Sequence, residues 1–397
     1  MDIFQLISGG EGSWIQWIVM LAFWGMFFFF YPRLMLSQIM WKLERTAEEL
    51  EQLSDNAKKF IVNEISDTPD KKLKDSVSDF FEFFVISPIS LDPYGIVKKF
   101  DVIIQNERER FVYFVDQVAP KMDAEKKANL QMGLAGGIET HMIAKIVRHY
   151  VELIKQTKSY QIALIIQMQL PLIEKIAKAI FKGTKTLARG EPVGDALGPL
   201  AAAKIMGNTA ITEVEENIMM AKVKIEGRNC FVIKAKGPGG RLGRPGKAVE
   251  KIVSNNKISR IISIDAAAKM EGEKTGSVAE GVGVAMGGPG VERSYIEAIA
   301  VKVNVPLDSV IVKMKNEEAI TPMRKSIKDA VPDVIKKVTE SVKRSKNGSN
   351  IIIVGVGNTS GVGNNAKSAL KTDKWVDEHE KKINAMKKKQ KKKEGFL

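Results

Sequence analysis

The chain has 397 residues, 44% hydrophobic and 27% charged, enough for two or three domains with a packed core. Its one cysteine, Cys230, excludes an internal disulfide framework and any cysteine-rich zinc site, and a single thiol fits a reducing compartment. The formal net charge is +14, and much of it sits in the C-terminal tail.

Residues 12 to 32 carry no charge, and the core of that stretch is "WIQWIVMLAFWGMFFFFY", Trp14 to Tyr31. As a helix it reaches about 27 Å, close to the ~30 Å hydrocarbon core of a bilayer. Trp14, Trp17 and Tyr31 sit near its ends, as interfacial aromatics do. Asp2 and Glu11 precede it and "FYPRL" closes it, so it reads as an uncleaved anchor and not a signal peptide. Arg33, Lys42 and Arg45 follow. The positive-inside rule then puts the N-terminus outside a cell membrane, with one span and the bulk of the chain cytoplasmic.

Ile39, Leu43, Thr46, Leu50, Leu53, Ala57 and Phe60 alternate spacings of four and three, a heptad seam. The seam over 39–60 either makes a homodimer or packs on its own domain. Residues 76 to about 190 are expected to be helical. "IAKIVRHYVELI" and "LPLIEKIAKAIF" carry apolar residues at helical spacing, and "SPISLDPYG" is a loop. "QIALIIQMQLPLI" is too short and too rich in glutamine for a second span, so it reads as a buried helix kinked at Pro171.

From about 195 strands alternate with helices. Strands are expected at "AKVKIE", "CFVIKAK", "ISRIISID", "VAEGVGVAM", "DSVIVKM" and "NIIIVGV". Helices are expected at "LGPLAAAKIM", "PGKAVEKIV", "VERSYIEAIAVKV" and from Pro322 to Arg344. This is an α/β domain with a mostly parallel sheet covered on both faces. The expected divisions are an anchor over 1–33, a juxtamembrane helix or short coiled coil over 34–75 and a helical domain over 76–192. The α/β domain follows over 193–370, then a lysine-rich tail over 371–397. That tail reads as solvated and disordered, with nucleic acid or anionic lipid as the sharper alternatives.

Four glycine-rich segments fall near strand ends, where ligands bind in such sheets: 194–199, 236–248, 287–292 and 355–365. Asp265 ends the run "IISID", and Asp195 stands between Gly194 and an alanine-rich helix. Two converging carboxylates split their pKa values and supply an acid and a base. Alternatively Asp195 caps its helix, and Asp265 makes a strand-end turn or an ion pair. "KGPGGRLGRPGKA" is not a phosphate loop, because Arg241 and Ala248 stand where a glycine and a hydroxyl belong. As a basic loop entering a helix it is a candidate for an anion, through Arg241, Arg244 and Lys247. His141, His149 and His379 form no metal-ligand pattern, no nucleophile elbow occurs, and Cys230 reads as a core residue. No cofactor is required by any motif.

"SLDPYGIVKK", "AKIVRHYVELI", "IQMQLPLIEKIAKA" and "KGPGGRLGRPGKA" resemble an uncharacterised family of archaeal membrane-anchored proteins. "GDALGP", "IDA", "GGPGVE" and "VPLDSVIVKM" resemble, more distantly, the germination-protease and hydrogenase-maturation-endopeptidase superfamily. That resemblance implies a phosphorylase/hydrolase-like α/β fold and a peptidase-like hydrolase with Asp195 and Asp265 as its catalytic pair. In a hydrolase or a binder on this fold, Gly194, Gly198, Gly287, Gly288, Gly290, Gly355, Gly357 and Asn358 are the expected substrate or ligand contacts, the glycines letting a backbone approach closely. The order of motifs departs from the superfamily, since "IIIVGVGN" comes last here. A circular permutation accounts for this and places Asn358 beside Asp195. The further histidine of the maturation enzymes has no counterpart, whereas the germination-protease pattern needs only carboxylates. The competing expectations are a binding or scaffold module for an anionic ligand or peptide, and an RNA-associated factor acting through the tail.

Overall fold

The computed structural model describes residues 13–85, 95–288 and 290–394. The loop expected at "SPISLDPYG" lies outside them apart from Gly95, as do Asp2 and Glu11. The chain divides into two compact units that do not follow sequence order: Met1–Asp55 with Thr140–Lys178, and Asn56–Glu139 with Ala179–Leu397.

The first unit takes parts of three helices, α1 (Ser13–Ile65), α4 (Ala124–Thr157) and α5 (Tyr160–Ala188). Helix α1 is apolar and long enough to cross a membrane, with a window of mean hydropathy 1.6 that is not buried. Beyond it, Ile39, Leu43 and Leu50 are buried against Ala144, Val147, Val151, Ala163 and Leu170. Of the two readings of the heptad seam, packing within the chain is the one taken there. Arg148 clamps α1 from α4, donating to both carboxylate oxygens of Glu51 at 2.6 and 2.8 Å and also to Glu44. The reading of "QIALIIQMQLPLI" as a buried helix needs correction. Helix α5 runs on through Pro171 and buries only one face, while Ile165, Met168 and Leu172 are 60%, 72% and 52% exposed.

The second unit holds α2 (Lys71–Phe80), α3 (Ile96–Val118) and a seven-stranded sheet with its covering helices. Ala57, Ile61, Phe81, Phe111, Val115 and Leu134 form the core of its helical part. The strands are β1 (Ile211–Glu215), β2 (Ile218–Ile225), β3 (Arg228–Ala235), β4 (Ile258–Ala268), β5 (Ser277–Val282), β6 (Leu307–Met314) and β7 (Asn350–Gly355). Their order is β1-β2-β3-β7-β4-β6-β5. The central four, β3-β7-β4-β6, are parallel, and the outer pairings are antiparallel. Ile351 to Val354 of β7 are fully buried, as a strand covered on both faces requires.

One face carries α6 (Leu197–Met206), α11 (Val331–Lys343) and the start of α12 (Ala366–Glu394), over Val232, Ile262, Val310 and Ile353. The other carries α7 (Pro245–Asn255) and α8 (Val291–Val303), over Ile233, Ile261, Ile352 and Val354. Cys230 is a core residue of the first face, and burial pushes its thiol up to about 11.

Four local expectations change. Strand β1 was not foreseen, because "ITEVE" is a half-exposed edge joined to β2 by a turn at Asn217, which has positive φ. Strand β5 stops at Val282 because Gly283 takes φ +101° and leaves the extended region. The stretch from Pro322 to Arg344 is two helices, α10 (Lys325–Lys328) and α11, preceded by α9 (Asn316–Ile320). Thr321 before Pro322 is extended, and Pro332 opens α11, where its missing N–H costs nothing. The tail is no disordered extension up to Glu394. Helix α12 starts before 371 and buries Ala369, Thr372 and Val376, with ion pairs Lys204–Asp373 and Lys328–Asp377.

Candidate active site

The sheet sets out its residues so that the C-terminal ends of β3, β7 and β4 open one cavity of about 320 Å³. Lys234, Gly355 and Ile264 are in register across these strands. Ile264 packs beneath α6, so Asp265, the next residue, turns to the opposite face. There it lines the cavity while only 3% exposed. Its Oδ1 accepts the Ala266 N–H at 2.6 Å.

Asp195 reaches the same cavity from a 3₁₀ turn, Gly194–Ala196, that leads into α6. The Gly194 N–H donates to Thr321 O, and a side chain at Gly194 would sit 2.1 Å from Glu318 O. No side chain caps α6, so Asp195 is not its N-cap. Its Oδ2 accepts the backbone N–H of Asn358 at 2.7 Å, across 163 positions. Asn358 lies just beyond β7, after Gly357, whose φ of +128° brings the chain against the Asp195 backbone. A side chain at Gly357 would stand 2.1 Å from Asp195 O, so only glycine fits.

The two carboxylates feel one another. Burial raises Asp265 well above the usual carboxylate range, and the Asp195 charge raises it further against the Ala266 hydrogen bond. Burial also raises Asp195, and the Asn358 N–H pulls it partly back. Asp195 keeps some surface open to the cavity although protein atoms crowd it on every side. Both groups are therefore harder to ionise than an ordinary carboxyl.

A second group of charges closes the cavity. Arg244 pairs with Asp101 of α3 and with Glu292 Oε1 at 3.4 Å. The Tyr295 hydroxyl donates to Asp101 Oδ2 at 3.0 Å, and the Gly246 N–H donates to Glu292 Oε2 at 2.7 Å. Burial pushes Asp101 up, but the hydrogen bonds of Arg244 and Tyr295 outweigh it and leave the group below its ordinary value. For Glu292 burial wins and the group is raised.

The structure sorts the other sequence candidates. Gly287, Gly288, Gly290, Gly355 and Gly357 line the cavity. A side chain at Gly287, Gly288 or Gly290 would meet nothing within 4 Å, so these glycines leave open space. Gly194 and Gly198 serve packing instead: a side chain at Gly198 would stand 2.1 Å from Val356 O and 2.5 Å from Ile264 O. Asn358 contributes its backbone. Arg244 lines the cavity, but its charge is spent on Asp101 and Glu292. Arg241 is turned away, fastened to Glu125 at 2.7 Å and to the carbonyls of Lys236 and Ala124. Lys247 lies off the cavity wall and adds only its charge toward Asp101. The basic loop is therefore a structural clasp, held further by Gly240 N–H on Asn129 Oδ1.

Sequence reasoning missed the wall from α3: Asp101, Ile104, Gln105 and Arg108. Their helical periodicity is visible, but nothing local marks which face meets the sheet edge. Among the described residues no group of three or more His, Cys, Asp or Glu is arranged to hold a metal ion.

Fold and site together define an α/β domain with a pair of interacting aspartates at the carboxyl ends of its parallel strands. The chain belongs to the DUF1512 family. Residues 16–190 match its N-terminal domain, described as a protein of unknown function, and residues 193–363 match its C-terminal domain of unknown function. No curated protein and no solved structure matches the chain.

Proposed function

We propose that the cavity is the active site of a peptidase-like hydrolase held at a membrane by residues 14–31. The reading rests on one observation: Asp195 and Asp265 face the same cavity, and the charge of one raises the other. Asp265, raised by its burial and by the charge of Asp195, is the acid. Asp195, steadied as a carboxylate by the Asn358 N–H, is the base.

Asp195 takes a proton from water as the water oxygen bonds to the amide carbon. Asp265 gives its proton to the carbonyl oxygen. The C–N bond then breaks as the nitrogen takes the proton from Asp195, and the new hydroxyl returns a proton to Asp265. The atoms balance with water as the only co-reactant. The Asn358–Asp195 contact supports the circularly permuted relation to the germination-protease superfamily, in which this strand end comes first. Arg33, Lys42 and Arg45 support an N-terminus outside and the catalytic unit in the cytoplasm.

The test is the full chain in detergent, incubated with a peptide library and read by mass spectrometry. Cleavage is expected, and Asp195→Asn and Asp265→Asn should each lower it by about 10²-fold or more. Unchanged cleavage in both variants would sink the proposal.

A further inference from the structure

Four carboxylates and two guanidinium groups face the cavity. Arg244 is neutralised by Asp101 and Glu292. Arg108 is not. Among the described residues it makes no ion pair, and its hydrogen bond runs to a backbone carbonyl, Gly243 O, at 3.4 Å. That contact is long and leaves most of a five-donor fork unused. A partly exposed guanidinium with unused donors beside open space is free to take an anion. The carboxylates that line the cavity with it are already engaged: Asp101 and Glu292 hold Arg244, and the charge of Asp195 works against the ionisation of Asp265.

We infer that Arg108 receives the terminal carboxylate of the substrate, so that the site acts on the C-terminal end of a peptide. This rests on the hydrolase reading for the cleavage step but not for the binding step. A guanidinium takes a carboxylate through two parallel hydrogen bonds, which fixes direction as well as position. The volume agrees. About 320 Å³ is near the low end of the ~300–1,000 Å³ of ligand pockets, room for a chain end and not for a long through-running strand. Ile104, Leu242 and Met286 give the wall an apolar part suited to an aliphatic side chain.

The experiment measures binding, not turnover. A dansylated alanyl-leucyl-leucine with a free carboxylate is titrated into the full chain in detergent beside the same peptide as its C-terminal amide. The free acid should bind at least about tenfold tighter, the effect of one charge-assisted hydrogen bond. Arg108→Gln should erase that preference, and Arg108→Lys should keep part of it. Both variants should melt with the wild type, because the Gly243 contact is weak. Asp265→Asn should retain the preference while losing cleavage. Equal affinity for acid and amide, failure of both to bind, or a preference that survives Arg108→Gln would each overturn the inference. A preference without any cleavage would leave the carboxylate site standing and remove the hydrolase reading.

Discussion

The backbone N–H of Asn358 donates to Oδ2 of Asp195 at 2.7 Å, joining the end of the last strand to the turn before the first sheet-covering helix. The contact explains why a carboxylate stands in a glycine-flanked turn. Asp195 does not cap α6. Its carboxylate is aimed across the sheet edge, into the cavity that Asp265 also lines. The arrangement stores an unfavourable charge where two strands end.

That storage has a measurable sign. A carboxyl whose folded pKa is raised stabilises the fold below its unfolded pKa, and the contribution is lost as pH rises through the folded value. At neutral pH Asp265 therefore works against stability. Asp265→Asn keeps an oxygen for the Ala266 N–H and removes the charge. Its melting temperature should rise at pH 7, by roughly 2–4 °C for each kcal/mol gained, while cleavage is lost. At pH 3 the gain should vanish. A variant less stable than wild type at pH 7 would show that the aspartate is structural.

Gly198 makes the opposite prediction. It sits in α6 where a side chain would stand 2.1 Å from Val356 O, just past β7, and 2.5 Å from Ile264 O of β4. Gly355, facing it, is as tight against Ala202. Gly198→Ala must push α6 off the sheet and carry Asp195 with it. A loss of about 2–3 kcal/mol in denaturant unfolding is expected, with the Asn358–Asp195 contact broken. A neutral result would mean that α6 is free to slide.

Much of this was readable in the sequence. The run Ile351–Val354 announces a buried parallel strand and Ile261, Ile262 and Ile264 mark a second, but that strand does not end at Asp265 as expected: pairing with β6 carries it on to Ala268. Asp195 was legible because glycine and proline around a lone acid mark a bent backbone. What was not legible depends on contacts distant in sequence. The half-exposed β1, the α3 wall and the clasp of Arg241 on Glu125 have no local signature. The outer face of α5 misled because its apolar residues fit a buried helix as well as an exposed one. The lysine tail misled for the reverse reason: its charges hide Ala369 and Val376, which dock it.

The proposed anchor is open to a direct measurement. Trp17, Phe23, Phe28 and Tyr31 are 65%, 65%, 70% and 48% exposed on α1, a cost in water that a bilayer removes. The full chain should stay with membranes after alkaline carbonate extraction. A chain beginning at Leu34 keeps the buried Ile39, Leu43 and Leu50, so it should fold and move to the supernatant. A truncated chain that remains in the pellet as a folded protein would place the membrane contact elsewhere, with the exposed face of α5 as the next place to look.

Lys234 gives the last prediction, and its sign differs from that of the aspartates. It is fully buried in β3, where its Nζ donates to Ala235 O at 2.7 Å and Asn364 Oδ1 at 2.9 Å. Among the described residues no carboxylate touches it. Burial lowers it to about 7 and the more distant charge of Glu125 restores only part. A lysine depressed in the fold contributes stability above its unfolded pKa, and that contribution is lost as pH falls toward 7. The neutral amine is the form the interior tolerates. Lys234→Met leaves Asn364 its bond from the Gly237 N–H and takes one donor from Ala235 O, a loss that is the same at every pH. Relative to wild type, Lys234→Met should gain most at pH 6 and least at pH 10. The span is on the order of 5 kcal/mol at most. Paired denaturant curves across that range isolate the lysine, because every other titrating group is common to both proteins. A difference that stays flat with pH would mean that Lys234 is charged throughout, with water or an anion beside it in the folded chain.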